Sequence, residues 1–151
     1  MKRFVAMAAC LALTGCAAGM SSLAPQEQRA LDTRIVRAGY DQTFSATMTV
    51  MEDKGYIVST ADKGSGLLNT EYKPYDGPNS GLAKALIGDI RAKANATLRK
   101  IGPDSTRVHL SIILENQGSR GNWERLDLSA SKTKAGLDNW FAAIDSLARG
   151  K

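Results

Sequence analysis

The sequence predicts an α+β domain in two layers, an antiparallel β-sheet of about four to six strands with two helices packed on one face. Three observations predict it. Val108, Leu110, Ile112 and Leu114 alternate with Arg107, His109 and Ser111, the period of a strand with one buried side. Phe44, Met48 and Met51 recur at i, i+4 and i+7, and Leu137, Trp140, Phe141, Ile144 and Leu147 share one face of a closing helix. Turn signals separate these runs, so each element has one apolar side and two layers suffice to bury them. The length of 151 residues fits one domain, and 43% hydrophobic with 23% charged residues is ordinary globular usage. Two cysteines and one histidine exclude a disulfide-dense scaffold, a cysteine-rich zinc module and a multi-histidine metal site.

The first sixteen residues carry targeting chemistry. Lys2 and Arg3 form a positive start, and Phe4 to Leu13 is an uncharged apolar run. That run has signal-peptide length and is about half a membrane span. Leu13-Thr14-Gly15-Cys16 follows and resembles the lipobox of bacterial lipoproteins. In that reading the Cys16 thiol is the nucleophile that takes a diacylglyceryl group as a thioether. Thr14 and Gly15 are small enough for a peptidase to close on the Gly15–Cys16 bond, and Leu13 fills an apolar subsite. Competing readings are an ordinary cleaved signal and an uncleaved anchor; the Ala, Gly and Ser after Cys16 would span poorly. Cys10 would leave with the leader, so residues 1–15 are the signal peptide and Cys16 the sole, acylated cysteine. Buried acyl chains contribute about 0.8 kcal/mol per CH₂, which makes release negligible. Ala17 in place of Asp implies, by resemblance to Gram-negative sorting, a periplasm-facing outer-membrane anchor.

Residues 16–31 are expected to be the lipidated cysteine and a flexible tether, because Ala17 to Arg29 is small and polar and holds Pro25. Such a coil reaches roughly 20 Å. The domain occupies residues 32–151. Thr33 to Ala38 reads as a short strand. Asp41 is the expected N-cap of a helix reaching Lys54, with Gly55 at C′. Tyr56 to Ala61 and Leu67 to Lys73 read as strands around the turn Asp62-Lys63-Gly64-Ser65-Gly66.

These residues carry a resemblance. Thr33-Arg34-Ile35, the helix, Asp53-Lys54-Gly55-Tyr56-Ile57-Val58, Asp62, Gly66-Leu67-Leu68 and Thr70-Glu71 resemble a pattern in small, mostly uncharacterised proteobacterial outer-membrane lipoproteins. The domain is also similar to those of BamC, the lipoprotein accessory of the outer-membrane β-barrel assembly machinery. The resemblance implies a helix on an antiparallel sheet and brings no catalytic residues.

Residues 82–101 fit two periods. Ala83, Leu86, Ile87, Ile90, Ala94, Leu98 and Ile101 suit a helix, whereas Ile90 to Leu98 alternate strictly with Arg91, Lys93, Asn95, Thr97 and Arg99. Gly88 interrupts the helix, and the lipoprotein pattern has a strand here. We therefore read a short helix over 80–87 and a strand over 89–100. Gly102 to Thr106 turns the chain, Trp123 to Ser129 adds a strand, and the closing helix covers about 133–149.

No nucleophile elbow, phosphate loop or zinc motif is present, and no cofactor, metal or catalytic residue is expected. His109 and Ser111 share a strand side with no orienting carboxylate in view. Trp123 and Trp140 read as packing residues; an exposed Trp123 would instead anchor a partner. Loss of Lys2 and Arg3 with the leader lowers the net charge from +5 to +3. Arg91, Lys93 and Arg99 fall on one side of the strand with Arg107 across the turn. This row reads either as a solvated face or as a contact for lipopolysaccharide, phospholipid or peptidoglycan. The function expected is a non-enzymatic envelope lipoprotein, held to the membrane through acyl chains on Cys16, that binds protein partners in outer-membrane assembly or transport. The alternative is a small-molecule or lipid/peptidoglycan-binding module with a cavity between helices and sheet. Nucleic acid is not an expected partner, despite a pI of 9.4.

Cys16→Ser should abolish palmitate labelling of the full chain in cells and leave precursor unprocessed. Unchanged labelling, or labelling that moves to Cys10, would refute the lipobox.

Overall fold

The computed structural model describes residues 25–76, 81, 82, 85, 88–118, 120–126 and 130–150. The leader, the lipobox and Cys16 lie outside the described residues. Three helices are described: α1 (Pro25–Asp32), α2 (Tyr40–Asp53) and α3 (Ala130–Ala148). The strands are β1 (Thr33–Val36), β2 (Val58–Asp62), β3 (Leu67–Thr70), β4 (Lys73–Pro74), β5 (Ile90–Gly102), β6 (Ser105–Gln117) and β7 (Trp123–Arg125). They form one antiparallel sheet in the order β1-β6-β5-β3-β2, with β4 beside β5 and β7 beside β6. The two-layer α+β class is as expected. The strand number is seven because the run read as one strand over Leu67 to Lys73 divides into β3 and the short edge piece Lys73–Pro74, while Trp123–Arg125 lies within the strand expected from Trp123.

β5 and β6 form the central hairpin, paired from Ile90↔Asn116 to Gly102↔Ser105. The strict alternation of residues 90–98 is therefore a strand. Its inward side is Ala92, Ala94, Ala96 and Leu98, each 3% exposed or less. Three alanines there hold the sheet surface low, so α2 and α3 can approach with larger side chains. α2 buries Phe44, Val50 and Met51, and α3 buries Leu137, Trp140, Phe141 and Ile144. Leu147 is 45% exposed and Ala148 is buried in its place. At about 100° per residue, Ala148 continues the stripe through Leu137, Phe141 and Ile144, while Leu147 falls to its edge. Residues 81, 82 and 85 are helical, inside the helix expected over 80–87.

The helix ends differ from expectation at one point. Gly39, not Asp41, is the N-cap of α2. Gln42 Oε1 accepts the Gly39 N–H at 3.3 Å, and Asp41 instead pairs with Lys63 at 2.9 Å. The C-terminus is as expected. Gly55 has φ +76°, its N–H donates to Glu52 O, and the Tyr56 N–H donates to Met51 O. These two bonds make a Schellman motif, which needs a left-handed residue at that position.

Residues 25–31, expected in the tether, form most of α1. Proline is favoured in the first turn of a helix, where its missing N–H leaves no bond unmade. At the other end the Arg34 guanidinium donates to the carbonyls of Ala30 and Leu31, which lack partners in the helix. Leu31 then packs against the core. Among the described residues the core lies between Leu31 and Ala148.

Four buried threonines are satisfied without water. Thr43 and Thr47 bond the carbonyls of Gly39 and Thr43 in their own helix. Thr106 Oγ1 donates to Ala38 O. Thr70 Oγ1 donates to Ala94 O at 2.9 Å and accepts the Ala94 N–H at 3.0 Å. It completes the ladder where β3 ends.

Gly66 holds β3 against β5. Its φ is +76°, its carbonyl accepts the Leu98 N–H at 2.8 Å, and a Cβ there would lie 2.1 Å from Leu98 O. Gly66→Ala should therefore cost about 2 kcal/mol or more through left-handed strain and the displaced strand contact. Urea unfolding of the two proteins checks this; an unchanged midpoint would place the turn elsewhere.

Candidate functional site

α2 and α3 cover one side of the sheet, and among the described residues nothing covers the other. Because paired antiparallel residues share a side, the register lists the open face row by row. At one end lie Trp123 opposite Gln117, Arg125 opposite Glu115, and Glu115 opposite Arg91. Next come Lys93 opposite Ile113, then Asn69, Asn95 and Ser111 in one row, and Leu67, Thr97, His109 and Thr33 in the following one, so the middle is mostly short and polar with Ile113 and Leu67 as its apolar members. At the far end Ile35, Arg107 and Arg99 form the last row.

The first end is a closed network. Arg91 Nε and Nη2 meet Glu115 Oε2 at 2.7 and 2.6 Å, and the Tyr72 hydroxyl donates to Glu115 Oε1 at 3.0 Å. The Arg91 guanidinium lies 4.0 Å from the ring centres of both Tyr72 and Trp123. Lys93 Nζ stands 5.4 Å from the Tyr72 ring. Charge-assisted bonds and cation–π contacts thus fix two aromatic rings on an otherwise open sheet. Tyr72 and Trp123 remain 39% and 37% exposed.

The basic residues predicted for an anionic surface therefore share a face but divide into two groups. Arg91 is neutralised by Glu115, and Lys93 stands over an aromatic ring. A single row of free cations is thus corrected, because strand periodicity places side chains on a face without showing what faces them from the neighbouring strand. Arg99 and Arg107 sit together at the other end, both exposed. Trp123, an alternative anchor in the sequence, belongs to the first group.

His109 has an orienting carboxylate that sequence reasoning missed. Its Nδ1 lies 3.1 Å from Asp32 Oδ1 and 3.2 Å from Thr33 Oγ1. The Thr33↔His109 pairing brings them together across 76 residues, and no local motif signals it. No hydrogen bond joins His109 to Ser111 among the described residues. No group of three or more His, Cys, Asp or Glu among the described residues could hold a metal ion.

On the helical side, Met51, Leu68, Leu98, Leu110 and Ile144 fill the space between the layers, each 2% exposed or less. A groove of about 930 Å³ opens at the surface where the start of α2 meets the end of α3. Gln42, Ser45, Thr49 and Leu147 are among its lining residues.

No protein-family model matches this chain, and no curated protein matches it. Among solved structures, the chain is similar to a DUF4468 family protein from Bacteroides ovatus ATCC 8483, with 13% identity, a TM-score of 0.32 and coverage of 78% of each chain.

The Arg91 hydrogen bond holds the Glu115 carboxyl below its ordinary value of 4.5, and the bond from Tyr72 adds to this against desolvation. A depressed carboxylate stabilises the fold above its unfolded value, and that contribution is lost as pH falls through the folded one. In a carbon-detected titration Glu115 should have its midpoint below 4.5, and Arg91→Ala should move that midpoint up. The same midpoint in both proteins would mean that the network does not form in solution.

Proposed function

We propose that this chain is a membrane-tethered envelope lipoprotein whose domain binds a protein partner through the open face of its sheet. The observation that carries the reading is the Tyr72–Arg91–Trp123 stack. Tryptophan, tyrosine and arginine are the residues over-represented at the energetic centres of protein interfaces. Here a buried-side scaffold and Glu115 hold them in place before any partner arrives, which lowers the entropy cost of binding. The leader and Leu13-Thr14-Gly15-Cys16 support an anchored, periplasm-facing location, and the pattern from Thr33 to Glu71 supports kinship with outer-membrane lipoproteins. Those pattern residues work for the fold: Gly55 ends α2, Gly66 lets β3 reach β5, and Thr70 closes the ladder. They leave the open face to carry function, as a non-enzymatic accessory in outer-membrane assembly or transport. A ligand cavity between helices and sheet, the second reading, is less favoured because large side chains fill that space.

A photo-crosslinking residue placed at Gln117, opposite Trp123 on the open face, should yield a discrete crosslinked species in the cell envelope when the full chain is used. The same residue at Asn139, exposed on α3, should not. Adding Arg91→Ala should remove the Gln117 product. Equal products from both positions would refute the open face as the binding side.

A further inference from the structure

The other end of the open face has a different chemistry. Arg99 and Arg107 are directly opposed on β5 and β6. Like charges in that position destabilise a sheet. Neither has an ion pair or hydrogen bond among the described residues, whereas Arg91 is held by Glu115. Ile35 stands opposite Arg107 and is 60% exposed, and Ile101, in the bulge two residues beyond Arg99, is 47% exposed. Arg37 and Lys100 are exposed at this end as well, with Asp104 the nearby acid in the turn. Two unneutralised arginines thus sit beside two bare isoleucines in neighbouring strands, about 5 Å apart.

We propose that this end of the sheet, built from Ile35, Arg99, Ile101 and Arg107, docks on the surface of an anionic phospholipid bilayer. Charge complementarity and the apolar partners point to that occupant together. Guanidinium groups suit lipid phosphates, and isoleucines beside them can enter the boundary between headgroups and acyl chains. A dissolved phosphate would use the arginines and leave both isoleucines in water. The inference rests on the proposed tether, which keeps the domain within reach of such a surface. It leaves the Trp123 end of the same face open to a protein, so the two contacts are compatible.

The test uses the chain from residue 17 onward, which contains every core residue among the described ones and has no acyl group. It is sedimented with vesicles of phosphatidylcholine alone or mixed with phosphatidylglycerol, at low and high salt. Binding should appear with the anionic vesicles and fade as salt rises. Arg99→Glu with Arg107→Glu should reduce it about tenfold or more. Ile35→Ser with Ile101→Ser should also reduce it at constant net charge, and Asn139→Ser, on the helical side, should leave it unchanged. Thermal melts establish that each variant folds, and Arg99→Gln with Arg107→Gln replaces any reversal that does not. Equal sedimentation of wild type and the arginine variants, or absence of binding, overturns the proposal. So does displacement by inorganic phosphate at matched ionic strength, which would mark a free-anion site. Binding that survives loss of both isoleucines would mark an acidic surface of any kind and overturn it too. This result is independent of palmitate labelling at Cys16, so failure of the docking surface and failure of the tether are told apart.

Discussion

The pairing of β5 with β6 is the constraint on which the rest of the structure depends. Every other strand attaches to this hairpin directly or through one neighbour: β1 and β7 to β6, β3 and β4 to β5, and β2 to β3. Its register decides which side of each strand meets the helices. A slip by one residue would turn Ala92, Ala94 and Ala96 outward and bury Arg91, Lys93 and Asn95. The cost of burying those charges makes the observed register the stable one.

Small residues at the centre of the hairpin set the distance between the layers. Alanine has weak strand preference, so those positions contribute little to the sheet on their own. Their use lies in what they admit. Phe44 and Met51 from α2 and Ile144 from α3 fill the space that larger strand residues would occupy. Thr43, Thr47, Thr70 and Thr106 extend the same economy of volume to polar positions, since each hydroxyl has a partner and none needs water.

Among the described residues α2 and α3 cover one side of the sheet, which leaves the domain with two unlike faces. The covered face is closed by large apolar side chains. The open face has mostly short polar residues in the middle, with Ile113 and Leu67 among them, and two contrasting ends. Glu115 converts Arg91 from a mobile surface cation into a fixed platform between Tyr72 and Trp123. Among the described residues Arg99 and Arg107 have no such acid, so their charge remains available. The division between a fixed aromatic end and a charged, partly apolar end connects the sheet register to the proposed contacts with protein and membrane.

By itself the sequence determined the periodic elements. Alternation in 107–114 and the stripes through Phe44 and Trp140 identify strands and helices, because burial of one side leaves its period in the chain. Gly55 and Gly66 were legible for a related reason: a left-handed backbone selects glycine locally. Only tertiary structure decided what each side chain faces. Residues 90–98 carried both a helical composition and a strand period, and pairing with β6 resolved them. α1 went unread because Arg34, beyond its end, supplies the caps for its last carbonyls. The Asp32–His109 contact, the Arg91–Glu115 pair and the opposed Arg99 and Arg107 depend on strand register. Register arises from non-local pairing and packing of the whole sheet, and no short segment encodes it.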